Sequence, residues 1–231
     1  MQKIVIANLK MNLSKKEIIS YLDKINKLNE DNLIVCVPSI FLHFNNEYKN
    51  TKIGSQNFYY EDKGSYTGEI SPIYLKEEGI KYSLVGHYER REYFNENFNV
   101  INKKVISGLK NNIKLIVCID SLSKPFIKYE IHSIFKNVKK EDLKNVLIAY
   151  EPSYMIGSGK EVNYEQVNNN VNYIKSIFKK DYNIDIKVLY GGSVDENNIE
   201  KIYSKTNIDG VLVGKSALDY EKIMKIIKMS N

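Results

Sequence analysis

The sequence predicts an α/β protein, a single (β/α)8 barrel spanning residues 1–231. Three observations carry this. Eight short apolar, β-branched runs recur along the chain, several of them lack any polar alternation, and amphipathic helical patterns lie between them. Runs that are apolar at every position are those of parallel strands buried on both faces, and strand–helix alternation produces a parallel sheet, either closed or open and doubly wound. A count of eight strands favours closure. The chain has 231 residues, and barrels commonly run to roughly 250 residues as one unit.

The first run is IVIAN from Ile4. It is followed by a helix announced by a capping box, Ser14 with Glu17, which keeps Ile18, Ile19, Leu22, Ile25 and Leu28 on one stripe. LIVCV from Leu33, KIGSQN from Lys52, YSLVG from Tyr82, LIVCI from Leu115 and VLIAY from Val146 supply the second to sixth strands. Next, Asn163 and Gln166 cap a helix whose Val167, Val171, Ile174, Ile177 and Phe178 repeat the apolar stripe. KVLYG from Lys187 and GVLVG from Gly210 complete the set. No linker, low-complexity tract or repeat divides the chain.

Composition narrows the function classes. Hydrophobic residues make up 43%, yet no apolar run approaches the ~18 residues of a membrane span, and the opening MQKIVIANLK is not a charged-then-apolar signal. A cytoplasmic protein is expected. Cys36 and Cys118 sit inside strand runs, as buried thiols do, and no CxxC or His-rich cluster accompanies them, so neither a disulfide nor a metal site is expected. The formal charge of +6 suits anionic partners, but the lysines are scattered over helix faces. Neither nucleic acid nor membrane is expected as a partner.

In such a barrel, reactive groups sit where strands end and loops begin. Asn8, Lys10 and Asn12 follow the first run, His87 and Glu89 the fourth, Glu151 the sixth, Gly191, Gly192 and Ser193 the seventh, and Gly214 and Lys215 the eighth. A lysine, an imidazole and a carboxylate at three strand ends suit acid–base work on an anionic substrate. Glycine turns that open helices suit phosphate, because bare backbone N–H groups point at the anion. The remaining histidines, His43 and His132, lie in apolar or helical surroundings and read as structural.

Taken together and in order, ANLKMN, QN with YTGEIS, GHYERR, AYEPSYMIGSGK, YGGSV and DGVLVG resemble the triosephosphate isomerase family, from Asn8 to about Leu218. The resemblance implies a TIM barrel that needs no cofactor. It would interconvert D-glyceraldehyde 3-phosphate and dihydroxyacetone phosphate through an enediolate, in glycolysis and gluconeogenesis. It makes Glu151 the general base and His87 the electrophile, with Lys10 and Asn8 holding the substrate; Glu89, an acid at the start of the helix after the fourth run, is read from its position as a support behind the site. The resemblance assigns the phosphate to Gly157, Ser193, Gly214 and Lys215. Ile156, Gly157, Ser158, Gly159 and Lys160 become a mobile lid hinged near Pro152 and Lys160, and Thr67 becomes a loop tip that reaches a partner subunit, implying a homodimer.

Four positions depart from the family pattern: Tyr88 stands for Ser, Tyr154 for Trp, Ser121 for an acidic residue and Lys215 for a second Gly. Two other readings stay open at this level. One is a related phosphate-binding barrel isomerase of different substrate range, and the other a scaffold that keeps a relic site.

Overall fold

The structure is a computed structural model that describes residues 2–152 and 162–231. Eight strands among them pair in chain order: β1 (Ile4–Asn8), β2 (Leu33–Val37), β3 (Lys52–Ser55), β4 (Tyr82–Val85), β5 (Lys114–Ile119), β6 (Val146–Tyr150), β7 (Lys187–Tyr190) and β8 (Gly210–Val213). All pairings are parallel, and β8 returns to β1 with Ile4 opposite Gly210 and Ala7 opposite Val213, closing the barrel. The helices are α1 (Lys15–Asn26), α2 (Pro72–Glu77), α3 (Tyr88–Phe94), α4 (Phe98–Lys110), α5 (Lys124–Ile134), α6 (Tyr164–Ile177), α7 (Ile199–Lys205) and α8 (Tyr220–Ser230).

Closure explains why the strands are buried on both faces and apolar at most positions. Alternate side chains point into the barrel, where Ile6, Ile34, Cys36, Leu84, Ile116, Cys118, Ala149, Leu189 and Leu212 form one buried cluster. Their neighbours, among them Val5, Val35, Val117, Ile148, Val188 and Val211, join a larger cluster between sheet and helices. Neither face meets water, so neither face is polar. Burial in the barrel centre pushes the Cys36 thiol up to about 12, and both cysteines are free.

The helices follow their sequence signals. Ser14 accepts from the Glu17 N–H while the Glu17 carboxylate accepts from the Ser14 N–H, and Ile18, Leu22 and Ile25 are buried, with Ile19 and Leu28 packed beside them. The Asn163 side chain accepts from the Gln166 N–H, and Val167, Val171, Ile174 and Ile177 are buried. Two strands stop short of their apolar runs. β3 ends at Ser55, before Gln56, and β4 ends before Gly86, whose φ of 68° turns the chain into α3. Among the described residues, no helix is long and apolar enough to cross a membrane.

The β1–β8 seam depends on Gly210. A Cβ placed there would lie 2.1 Å from the Ile4 carbonyl oxygen, backbone against backbone, with no flexible side chain to yield. Gly210→Ala is therefore expected to destabilise the fold by about 3 kcal/mol, the upper end of overpacking costs, read as a lowered urea midpoint at unchanged slope.

Candidate active site

The period-two alternation of the strands runs on past their ends and decides what faces the mouth of the barrel. On β1 the inward positions Ile4 and Ile6 continue to Asn8, and on β6 Leu147 and Ala149 continue to Glu151. On β7 and β8, Leu189 and Leu212 continue to Gly191 and Gly214. These groups meet in a cavity of about 450 Å³ lined by Asn8, Lys10, His87, Glu89, Glu151, Gly191, Gly192, Ser193, Gly214 and Lys215.

Of the two glycines at inward positions, Gly191 leaves room for its charged neighbour, whereas a Cβ at Gly214 would meet Lys10 only in ordinary contact. A Cβ at Gly191 would lie 2.7 Å from the Glu151 Cγ, and one at Gly214 would lie 3.4 Å from the Lys10 Cε.

Glu151 is 2% exposed. One carboxylate oxygen, Oε1, lies 3.4 Å from the His87 Nε2, while Oε2 is buried and has no hydrogen-bond partner. A carboxylate oxygen whose lone pairs no protein donor takes up is a ready proton acceptor. His87 caps α3: its Nδ1 accepts from the Glu89 N–H at 3.3 Å. With that lone pair engaged, the neutral ring carries its proton on Nε2, the nitrogen that faces Glu151 and the cavity.

Lys10 is a non-glycine residue at φ 50°. Left-handed backbone costs a lysine about 1–3 kcal/mol unless its surroundings over-determine it. They do so here. The Asn8 Oδ1 accepts from the Lys10 N–H at 3.1 Å, and the Gln56 Nε2 donates to the Lys10 carbonyl at 3.0 Å and to the Cys36 carbonyl at 3.0 Å. So fixed, the Lys10 ammonium points at Glu89, with Nζ 2.6 Å from Oε1.

The comparisons can be set beside this geometry. The family model described as Triosephosphate isomerase matches residues 3–230. The chain belongs to the triosephosphate isomerase family. It is 39% identical to the triosephosphate isomerase of Alkaliphilus oremlandii, over 98% of this chain and 99% of that one. It is 36% identical to that of Caldanaerobacter subterraneus and 34% identical to that of Clostridium botulinum, each over 97% of this chain and 98% of the other.

The structure gathers Asn8, Lys10, His87, Glu89, Glu151, Ser193, Gly214 and Lys215 around one cavity. Glu89, expected behind the site, is among the residues that line the cavity. Pro152 is buried at the end of the described segment, whereas Tyr154, Ile156, Gly157, Ser158, Gly159 and Lys160 lie outside the described residues. Thr67 is exposed in the loop between β3 and α2 and does not line the cavity. His43 and His132 do not line it either, and His132 pairs with Asp181 at 2.9 Å.

Tyr88 is half-exposed and outside the lining, so it does not crowd the site. Lys215 opens a 3-10 turn and is not among the residues at positive φ, so the departure from glycine is tolerated.

Two functional residues escape a reading of strand ends. Gln56 acts through its side chain from a different loop, a contact that no local spacing announces. Cys118 was legible as a buried thiol, and its inward parity on β5 was a usable signal. Burial first, and then the Glu151 carboxylate beside it, hold the Cys118 thiol well above its ordinary value.

Gly191→Ala tests the shape of the site without touching a titratable group. Gly191 is not at positive φ, so alanine suits the backbone and only the contact with Glu151 matters. A displacement of about 1 Å can cost on the order of 10²-fold. The folded variant is expected to lose at least about tenfold in kcat on that scale, with KM changed far less.

Proposed function

We propose that this chain interconverts D-glyceraldehyde 3-phosphate and dihydroxyacetone phosphate through an enediolate, as a cofactor-free aldose–ketose isomerase. The observation that carries the reading is the Glu151 carboxylate: buried, with Oε2 unbonded and Oε1 3.4 Å from an imidazole nitrogen that donates. Glu151 takes the proton from the carbon next to the carbonyl, and the C–H electron pair moves through the new C=C bond onto the carbonyl oxygen. The His87 Nε2–H donates to that developing oxyanion. Returning the proton to the adjacent carbon, with the hydroxyl proton passing between the two oxygens, completes the isomerisation.

Lys10 holds three donors and commits one to Glu89, leaving two for the substrate. Asn8, 4% exposed and lining the cavity, is placed to hold the substrate beside it. The phosphate belongs at the ends of β7 and β8, where Gly192, Ser193, Gly214 and Lys215 line the cavity and backbone N–H groups suit an anion; the Gly191 N–H is given to the Tyr150 carbonyl.

A homodimer in the cytoplasm fits the same reading. Met11, next to Lys10, is 94% exposed, and Tyr66 beside Thr67 and Phe94 on α3 are exposed apolar side chains that a second copy would cover. A scaffold with a relic site is disfavoured, because it has no need of a strained Lys10 or a dry Glu151.

A coupled assay of glyceraldehyde 3-phosphate conversion by the purified protein tests the activity. Glu151→Gln keeps the shape and loses the basic lone pair, so a folded protein with activity lower by about 10²–10⁴-fold is expected. Retention of more than about a tenth of kcat, on that scale, removes Glu151 from the role.

Lys215 separates backbone from side chain at the phosphate site. Lys215→Ala is expected to keep kcat and raise KM only modestly, by an amount that shrinks with salt, since screening acts over about 8–10 Å at ordinary ionic strength. Lys215→Pro deletes the N–H and is expected to weaken substrate and phosphoglycolate binding together. A folded proline variant that binds both as tightly as wild type places the phosphate elsewhere.

A further inference from the structure

Beneath the strand ends that carry His87 and Glu151 lies a buried ion cluster with no part in the chemistry described so far. Glu130, on α5, is 0% exposed. A carboxylate stays ionised at such depth only when its lone pairs are engaged. Here the Oε1 accepts from the Arg91 Nη1 at 2.6 Å and from the Asp120 N–H at 3.3 Å, and the Oε2 accepts from the Ser121 N–H at 3.0 Å.

Arg91, on α3, directs its remaining donors at two strand ends. Its Nε donates to the Gly86 carbonyl at 2.7 Å, its Nη2 donates to the Cys118 carbonyl, and its Nη1 also reaches the Asp120 Oδ1 at 3.1 Å. Gly86 is the residue before His87. The Glu151 N–H donates to the carbonyl of Ile119, the residue after Cys118, at 2.8 Å. One planar guanidinium therefore fastens the end of β4 to the end of β5, and Glu130 sets where that guanidinium sits while also holding the turn after β5.

We propose that Glu130 is a positioning residue for the isomerisation, holding the Glu151 carboxylate and the His87 imidazole at their working separation through Arg91. The inference rests on the roles proposed above for Glu151 and His87. Charge balance alone does not require Glu130, since Asp120 already faces Arg91, and an apolar side chain would serve the core of α5 as well. What Glu130 adds is direction: it engages the face of a fork whose other donors end on the two strand ends beside the reacting groups.

The test is Glu130→Gln in the full-length enzyme, which keeps the shape and removes the charge. Expected are a kcat about tenfold lower, a KM and an inorganic phosphate Ki within about twofold of wild type, and a larger primary isotope effect with substrate deuterated at the carbon that loses its proton. Glu130→Asp, with the charge restored on a shorter arm, should recover part of kcat. A folded Glu130→Gln with kcat within about twofold of wild type overturns the proposal. So does a loss of activity that tracks the folded fraction while the isotope effect stays put.

If Glu130→Gln does not fold, Glu130→Asp, which keeps the charge on a shorter arm, is measured in the same way, and a kcat and isotope effect equal to wild type there also overturn it. The two readings fail separately. An active Glu151→Gln removes the catalytic assignment, whereas an inactive Glu151→Gln beside an unaffected Glu130→Gln removes only the positioning role.

Discussion

The site depends on closure of the sheet. The first strand and the last come from opposite ends of the chain, and their parallel pairing from Ile4–Gly210 to Ala7–Val213 is what turns eight separate strand ends into one rim. An open sheet of the same strands would leave Asn8 and Gly214 at its two edges. With the barrel closed, Gly214 lies beside the Lys10 side chain and Gly191 makes room for Glu151. The glycine at β8, pressed on the β1 backbone, serves the closure that the glycines at the mouth then exploit.

Closure also supplies the rigidity that the chemistry needs. Lys10 sits in a backbone conformation that lysine disfavours, and it stays there because Asn8 and Gln56, on two different strand ends, grip its N–H and its carbonyl. The Glu151 carboxylate is held dry with one oxygen unbonded, which a looser site would correct by admitting water or by turning the side chain. Such strain persists only on a framework whose parts cannot relax independently. The barrel interior, filled by Ile6, Ile116, Leu189 and their neighbours, is that framework.

The three departures from the family pattern that fall within the described residues, Tyr88, Ser121 and Lys215, leave this arrangement undisturbed. Tyr88, the first residue of α3, does not line the cavity, and the charge of Glu92 foremost raises its hydroxyl above the ordinary value. Lys215 keeps a helical backbone, so its N–H remains at the end of β8 whatever its side chain does. At Ser121, where the family carries an acid, the backbone N–H is taken by the Glu130 carboxylate, reaching across from α5.

The sequence by itself determined the strands, the two patterned helices and the identity of the residues at the strand ends. A strand's period of two puts Asn8 on the face of Ile4 and Ile6 and Glu151 on that of Leu147 and Ala149, although runs apolar on both faces leave the inward face to the fold, and the box at Ser14 and Glu17 already starts α1, because these are local consequences of side-chain geometry and capping. Glu89 was legible as a neighbour of His87, but its ion pair with Lys10 was not, since the two residues come from different strand ends. The grip of Gln56 on Lys10, the contact of Cys118 with Glu151 and the reach of Glu130 to Arg91 were likewise decided by the tertiary structure. Each joins groups from separate elements, and their distances exist only once β1 and β8 have met and the helices have packed against a closed sheet.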